Sequence, residues 1–105
     1  MNMVNVTVST EQDRTLAIFD GELTIYAMES LSPILPELAQ SEGLLTVDLS
    51  AVSELDGSGF QFLQILIRHR RAHSARTEII AGDAVHTRLY GLGLAEAISN
   101  QQEVA

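Results

Sequence analysis

The chain has 105 residues, of which 46% are hydrophobic, a net charge of −8 at pH 7 and no cysteine. These values predict one compact domain and exclude disulfide bonds, thiolate metal sites and cysteine catalysis. The acidic charge also argues against binding to nucleic acid or to anionic lipid. No segment resembles a signal peptide or approaches the ~20 apolar residues of a membrane span, so we expect a cytoplasmic protein.

Two strands are predicted at the start of the chain. Residues 4–9 alternate valine with polar side chains, which is the pattern of a half-buried strand. A turn at residues 12–13 precedes a second apolar strand over residues 15–19, and the pair is expected to form a hairpin. Residues 20–22 interrupt the second strand, and residues 23–25 are predicted to be a short extension of it.

A helix is predicted between Ala27 and Gln40, because leucine and isoleucine recur along one face. Two prolines complicate this helix. Pro33 suits a first helical position, whereas Pro36 lies at the edge of what a first turn accepts. We therefore expect a broken or late-starting helix.

Strands and helices alternate in the second half of the chain. The pattern predicts a strand over residues 44–49, the main helix from Gly59 to about His73, a strand over residues 77–81, a helix over residues 84–90 and a closing helix through Ile98. This order predicts parallel crossovers, and hence an α/β domain with a mixed sheet and helices packed on it.

A serine between two glycines lies where the strand at residues 44–49 gives way to the main helix. Ser58 would stand at a helix N-terminus, where unpaired N–H groups and the helix dipole tolerate added negative charge. The pattern predicts a phosphorylatable switch on a small binding module. Asp56 is predicted to cap the helix, and it is also a candidate for orienting the loop or the hydroxyl. Gly57 and Gly59 allow close backbone approach or simply permit the turn.

A stripe along the main helix contains Ser58, Phe62, Ile65 and His69 at helical spacing. If these side chains are exposed, they form a surface for a protein partner with the serine at its edge. The alternative is that neighbouring helices cover Phe62 and Ile65. The sequence leaves both interpretations open, with exposure favoured at Ile65.

Basic residues cluster at the other end of this helix. Arg68, Arg70, Arg71 and Arg76 are predicted to form a solvated helix end, where positive charge is favourable. His69 and His73 have the i, i+4 spacing of a metal-binding pair, but no third ligand is evident. No metal or cofactor is therefore expected.

Four sequence motifs resemble those of the STAS domain, the sulfate transporter and anti-sigma factor antagonist domain. They are Gly21-Glu22-Leu23-Thr24, Val47-Asp48-Leu49-Ser50, Asp56-Gly57-Ser58-Gly59-Phe60 and Leu89-Tyr90-Gly91-Leu92-Gly93-Leu94. The resemblance covers nearly the whole chain. It implies a mixed sheet of four or five strands flanked by four or five helices. We expect one STAS domain over residues 1–105, with an ordered core over about residues 3–99 and a tail over residues 100–105.

The resemblance also implies a function. In the antagonists, a serine at the position of Ser58 is phosphorylated by an anti-sigma factor that is a serine kinase of the histidine-kinase-like ATPase class. Here Gly57 replaces the more usual serine or threonine, so one hydroxyl is available. The implied protein is a bacterial regulator of transcription and not an enzyme. The predicted partner-binding residues are Asp56, Gly57, Ser58, Gly59, Phe62, Ile65 and His69.

Two other functions compete with this prediction. One is an accessory STAS subunit that docks on the ATPase of a lipid-transport complex through the same loop, without phosphorylation. The other is a small serine hydrolase, in which a histidine and an aspartate would activate Ser58. The motif around Ser58 does not match the nucleophile elbow of the hydrolases, and no histidine is forced toward it by spacing.

Overall fold

A computed structural model describes residues 4–83, 85 and 86, together with the backbone of residues 98 and 99. Strands and helices alternate along most of this length. In chain order the elements are β1 (Val4–Glu11), β2 (Arg14–Leu23), a 3-10 helix (Ile25–Ala27), α1 (Met28–Leu31), α2 (Ile34–Ala39), β3 (Leu44–Leu55), α3 (Gly57–Ala72), β4 (Thr77–Ala81) and β5 (Ile98–Ser99).

The strands form one five-stranded mixed sheet in the order β1-β2-β3-β4-β5. The β1–β2 hairpin is antiparallel, and the pairs β2–β3, β3–β4 and β4–β5 are parallel. The predicted α/β class and mixed sheet are therefore confirmed. The crossover from β3 to β4 is α3, as the order of the sequence pattern predicts.

One face of the parallel part of the sheet is buried. Alternate residues of the parallel strands, such as Phe19, Val47 and Ile79, are inaccessible to solvent, whereas Ile18 and Asp48 on the other face are half-buried. Because side chains alternate between the faces of a strand, the apolar set of each strand points to one side. Leu63 and Leu66 of α3 are fully buried in the same core.

β1 ends two residues later than the sequence pattern predicts, and two other strands exceed the prediction by more. β2 continues from Arg14 through the expected interruption to Leu23, and the register with β3 shifts on both sides of Gly21. Gly21 has a φ of 118°, which a side chain would strain, so glycine lets the strand bulge there and continue. β3 extends six residues beyond the predicted end at Leu49, as far as Leu55. Both strands thereby reach the position of Ser58.

The predicted break in the first helical segment is confirmed. α1 ends at Leu31, and α2 begins at Ile34, directly after Pro33. Pro36 is the third residue of α2, where its missing N–H would have no partner within the helix. The prolines thus divide the predicted helix into short pieces without leaving a buried donor unpaired.

The end of the chain departs from the prediction at Ile98. This residue was expected to belong to a closing helix, but it pairs with Ile79 as part of a parallel strand. Asp83, Val85 and His86 are helical, in agreement with a helix after β4. Most of the predicted helix over residues 84–90, the glycine turn that follows it and the tail lie outside the described residues.

The prediction that Arg70 belongs to a solvated helix end is wrong. Its side chain is fully buried, and burial lowers its pKa because desolvation penalises the charged form. Its guanidinium is held by oxygen atoms from several loops. It donates to the carbonyls of Leu38, Ser41, Gly43 and Arg76 and to the hydroxyls of Ser41 and Thr77, at 2.7–3.2 Å. Arg70 therefore ties the end of α3 to the loops before β3 and β4.

Candidate functional site

Ser58 is the second residue of α3, at the end of the sheet where β3 stops. Its side chain is half-buried, so part of it faces solvent. α3 is 16 residues long, and the positive end of its dipole lies at this serine, together with the N–H groups of the first turn that have no carbonyl partner within the helix. A group that carries negative charge is favoured at this position.

The carboxylate of Asp56 organises the start of α3. Its Oδ1 accepts a hydrogen bond from the N–H of Gly59 at 3.0 Å, which is the capping interaction predicted from the sequence. Its Oδ2 accepts from the N–H of Ile25, also at 3.0 Å. Asp56 therefore caps the helix, as predicted, and it also holds the loop that follows β2, a contact that the sequence did not indicate.

These contacts determine the ionisation of Asp56. Desolvation acts to raise the pKa of Asp56, but hydrogen bonds from the backbone N–H groups of Gly59, Ile25 and Ser58 stabilise the charged form. Their combined effect holds the pKa below its ordinary value of 3.8. Asp56 is therefore a carboxylate at neutral pH, two residues from the serine hydroxyl.

The two glycines that flank Ser58 serve different purposes. A Cβ on Gly59 would collide with the carbonyl oxygen of Leu23 and would lie 2.8 Å from a methyl group of Leu55. A Cβ on Gly57 would meet no atom within 4 Å. Gly59 is thus needed for the close approach of α3 to the end of β2, whereas Gly57 leaves open space beside the serine.

The predicted stripe of partner-binding residues is only partly at the surface. Phe62 is 5% exposed and packs edge-on against Phe19, with ring centroids 6.0 Å apart, so of the two interpretations left open by the sequence the structure has the buried one. Ile65 is 50% exposed, as favoured by the sequence. Phe62 belongs to the buried face of α3 because the 10-residue strand β2 places Phe19 beneath its ring.

His69 is exposed, but it is far from the serine. Eleven residues of helix separate it from Ser58, which corresponds to roughly 16 Å at 1.5 Å per residue. His69 instead stacks on His73, with ring centroids 4.4 Å apart, beside a cleft at the opposite end of the sheet. The structure does not bring it together with the other predicted partner-binding residues.

Two exposed apolar residues beside the serine were missed by the sequence analysis. Ile25 and Tyr26 of the 3-10 helix are 60% and 79% exposed, and the N–H of Ile25 is bonded to Asp56. The sequence pattern assigned Ile25 to a strand extension. Exposure of these side chains follows from the tight turn after β2, which the sequence pattern did not indicate. We call Ile25, Tyr26, Asp56, Ser58 and Ile65 the Ser58 surface.

Acidic residues lie close to the Ser58 surface. No arginine, lysine or histidine occurs between Arg14 and Arg68. Glu22 and Glu54 pair in register on neighbouring strands just before Asp56, so three carboxylates accumulate near the serine. Basic residues concentrate instead at the other end of α3.

Neither a metal cluster nor a membrane-spanning helix is found in the part of the chain that the structure describes. No group of three or more histidine, cysteine, aspartate or glutamate residues in that part is arranged to hold a metal ion. No helix among the same residues has the length and apolar character needed to cross a bilayer.

Similar folds occur among solved structures of anti-sigma factor antagonists. SpoIIAA in its unphosphorylated form aligns with a TM-score of 0.74 and 18% identity, covering 95% of this chain and 92% of that one. The Bacillus cell fate determinant SpoIIAA in its phosphorylated form gives a TM-score of 0.72 and 15% identity, with coverage of 95% and 96%. An antagonist from Mycobacterium paratuberculosis gives 0.78 and 21%, with coverage of 90% and 82%.

The amino-acid sequence has diverged too far from known families and curated proteins for a sequence comparison to find a match. No family model matches the chain, and no curated protein does. The likeness to these structures is therefore one of backbone fold. The chain has the STAS fold of the anti-sigma factor antagonists.

Proposed function

We propose that this protein is a cytoplasmic bacterial regulator that binds an anti-sigma factor with serine kinase activity and is released when Ser58 is phosphorylated. The partner would be of the histidine-kinase-like ATPase class. Its docking site would be the Ser58 surface. The protein itself would bind and would not catalyse, since the partner supplies the ATP and the transfer chemistry.

The observation that carries this proposal is the setting of Ser58. A half-buried serine stands at the start of a long helix; the exposed Ile25 and Tyr26 belong to the turn that is bonded to Asp56, and the exposed Ile65 lies two helical turns further along α3. Large exposed apolar side chains grouped in one place are typical of a protein interface, in which aromatic residues often contribute most of the binding energy. The fold neighbour SpoIIAA has been solved in unphosphorylated and phosphorylated forms, which supports modification within this fold.

Phosphorylation would place a large charge at this surface. The kinase would transfer a phosphoryl group from ATP to the Ser58 hydroxyl, adding roughly −1.5 to −2 charges and three acceptor oxygens. The dipole of α3 would stabilise this negative charge by about 0.3–1 kcal/mol, which offsets part of the free-energy cost of adding it to the protein. We therefore expect the phosphorylated domain to remain folded.

The complex with the partner would be affected much more. The phosphate would lie two residues from the carboxylate of Asp56, on a surface that also exposes Ile25, Tyr26 and Ile65 and includes no basic residue. Burying an uncompensated charge at an interface costs several kcal/mol, and each ~1.4 kcal/mol is a tenfold loss of affinity. Release of the partner is the expected result.

The proposal is tested by incubation with candidate kinases encoded near this gene, ATP and Mg²⁺, followed by intact-mass measurement. Wild type should gain one phosphate, and S58A should gain none. Ser53 lies on the exposed end of β3 and makes one weak bond to Gly21, so S53A is a matched control that should be phosphorylated normally. Phosphate on S58A, or stable binding of the kinase without any phosphorylation of wild type, would contradict the proposal.

The mass measurement also separates the two competing functions. An accessory subunit that docks on a transporter ATPase would bind that ATPase and remain unphosphorylated. A serine hydrolase would react at Ser58 with a fluorophosphonate probe, which a regulator would not do. The hydrolase gains no support from His69 and His73, because both lie near the end of α3 that is remote from Ser58.

A further inference from the structure

Strand β1 is an outer edge of the sheet. Within the described part of the chain, β1 pairs with β2 on one side and with no strand on the other. An exposed edge presents a row of backbone N–H and C=O groups that can pair with another chain. Native proteins usually protect such an edge with lysine, proline or a bulge, and Val4–Glu11 contains neither lysine nor proline and pairs with β2 without a register shift.

The composition of β1 favours pairing with another strand. Residues 4–10 are valine, threonine, serine and asparagine, without a charged side chain, and valine and threonine suit strands well. Val8 is 38% exposed on this edge, although it points to the same face as the buried Ala17 beside it. The edge therefore offers both unpaired backbone and an incompletely buried apolar side chain.

Charge limits which surfaces can meet in a pair of identical molecules. At a net charge of −8, two copies repel each other over most contacts, and the Ser58 surface is among the acidic regions. The uncharged edge of β1 is a surface where two copies can approach without bringing carboxylates together. The charge pattern therefore permits a second copy of the same chain to bind at the edge of β1.

We propose that two copies form a dimer by antiparallel pairing of β1 with β1, about a two-fold axis through Thr7. This register pairs Val6 with Val8, Val4 with Thr10 and Asn5 with Ser9, so residues 4–10 of both copies are matched. The valines of both copies then share one face, because same-parity residues oppose each other. Glu11, the charged residue of the strand, lies beyond the paired segment.

The dimer would have two Ser58 surfaces that face in opposite directions. Ser58 follows the end of β3, and the two-fold axis reverses the strand direction of one copy relative to the other. The ten strands would form one continuous sheet with both helical layers on the same side. Each Ser58 surface remains free, so the dimer would present two equal docking surfaces.

The first test measures the molar mass of the protein by sedimentation equilibrium across micromolar to millimolar concentrations. Wild type should pass from monomer to dimer, because a single strand pair gives a small interface and a weak equilibrium. V8K should weaken the dimer at least tenfold, since lysine on an edge strand opposes pairing. The matched control is I65K, which places lysine on an isoleucine of α3 that is 50% exposed and should dimerise like wild type.

The second test checks the register by cross-linking, because the chain has no cysteine of its own. In T7C the two introduced thiols would face each other across the axis, with Cα atoms about 4.5–5.5 Å apart, which suits a disulfide. Oxidised glutathione would accept the two electrons and two protons as the S–S bond forms. S9C is the control, because residue 9 opposes Asn5 and should not cross-link.

Three results would overturn the inference. The first is wild type that stays monomeric at every concentration, which would leave the edge to a strand of another protein or to solvent. The second is V8K that dimerises as strongly as wild type. The third is S9C that cross-links as fast as T7C. None of these results bears on phosphorylation of Ser58, so the dimer and the proposed function are tested separately.

Discussion

The carboxylate of Asp56 joins the N–H of Ile25 to the start of α3, although the two residues are 31 positions apart in the chain. Its other oxygen caps the helix at Gly59, with both donor–acceptor distances at 3.0 Å. One side chain thus fixes the exposed turn after β2 relative to Ser58. These two hydrogen bonds therefore hold the turn with Ile25 and Tyr26 against the helix that carries Ser58.

Replacing Asp56 should therefore reduce both stability and partner binding. D56A loses both hydrogen bonds, and loss of an N-cap costs about 0.5–2 kcal/mol of the free energy of unfolding. D56N keeps one acceptor oxygen and should cost less, because asparagine also caps helices well. Urea unfolding of the three proteins measures this order. Equal stability of D56A and wild type would contradict the role given to the cap.

The same carboxylate predicts how stability changes with pH. The pKa of Asp56 is lower in the folded protein than its ordinary value of 3.8, so the folded state binds fewer protons than the unfolded state in this range. Its contribution is complete above 3.8 and is lost as the pH falls through the lower folded value. The difference in unfolding free energy between wild type and D56A should therefore shrink between about pH 5 and pH 2. A difference that stays constant over this pH range would contradict the prediction that the Asp56 carboxylate stabilises the folded state.

The glycines beside Ser58 should respond differently to alanine. G59A should lower the free energy of unfolding by about 1–3 kcal/mol, because the new Cβ collides with the carbonyl of Leu23 and the helix must move. G57A meets open space and should be neutral or stabilise by up to about 1 kcal/mol, since alanine favours the helix. Thermal unfolding compares the pair, and equal effects would show that the approach of α3 to β2 is not tight.

The Ser58 surface can be separated from the core beneath it by a pair of substitutions on α3. I65D should leave the free energy of unfolding within about 0.5 kcal/mol of wild type, because Ile65 is half exposed. F62A should cost about 3–5 kcal/mol, because Phe62 is buried against Phe19. Binding to the kinase, measured by titration calorimetry, should be weakened by I65D. Undiminished binding of I65D would exclude Ile65 from the interface.

Much of the fold follows from local patterns in the sequence. β3 and α3 are predicted because a continuous apolar run and a 3.6-residue apolar period differ clearly, and Asp56 marks the boundary between them. The position of Ser58 at a helix N-terminus follows from that boundary. Local patterns could not decide whether Phe62 is buried or exposed, because its burial depends on Phe19 of a strand more than 40 residues away.

The remaining errors also arise from long-range contacts. Arg70 looks like its exposed neighbours Arg68 and Arg71, and only the convergence of the loops before β3 and β4 explains why it is buried. Ile98 becomes a strand because the edge of β4 is available to it, which no helical period in the sequence can reveal. The features that depend on where distant segments meet were thus beyond sequence analysis.

The buried guanidinium of Arg70 leads to the last prediction. Its hydrogen bonds hold backbone carbonyls of Leu38, Ser41, Gly43 and Arg76, and removing the donors would leave these oxygens without those partners inside the protein. Truncating one side of a buried charged network typically costs about 3–5 kcal/mol, out of the 5–15 kcal/mol that holds a domain together. R70A should therefore be strongly destabilised or unfolded at room temperature.

R68A is the matched control, because Arg68 is exposed two residues earlier on the same helix and should change stability by less than about 0.5 kcal/mol. R70K tests geometry rather than charge. Lysine has three donors on one nitrogen and cannot reproduce the planar fork that reaches both loops, so R70K should recover only part of the loss. If R70A and R68A unfolded at the same urea concentration, the carbonyls around Arg70 would have to be satisfied without it, and the arginine would not tie α3 to the loops before β3 and β4.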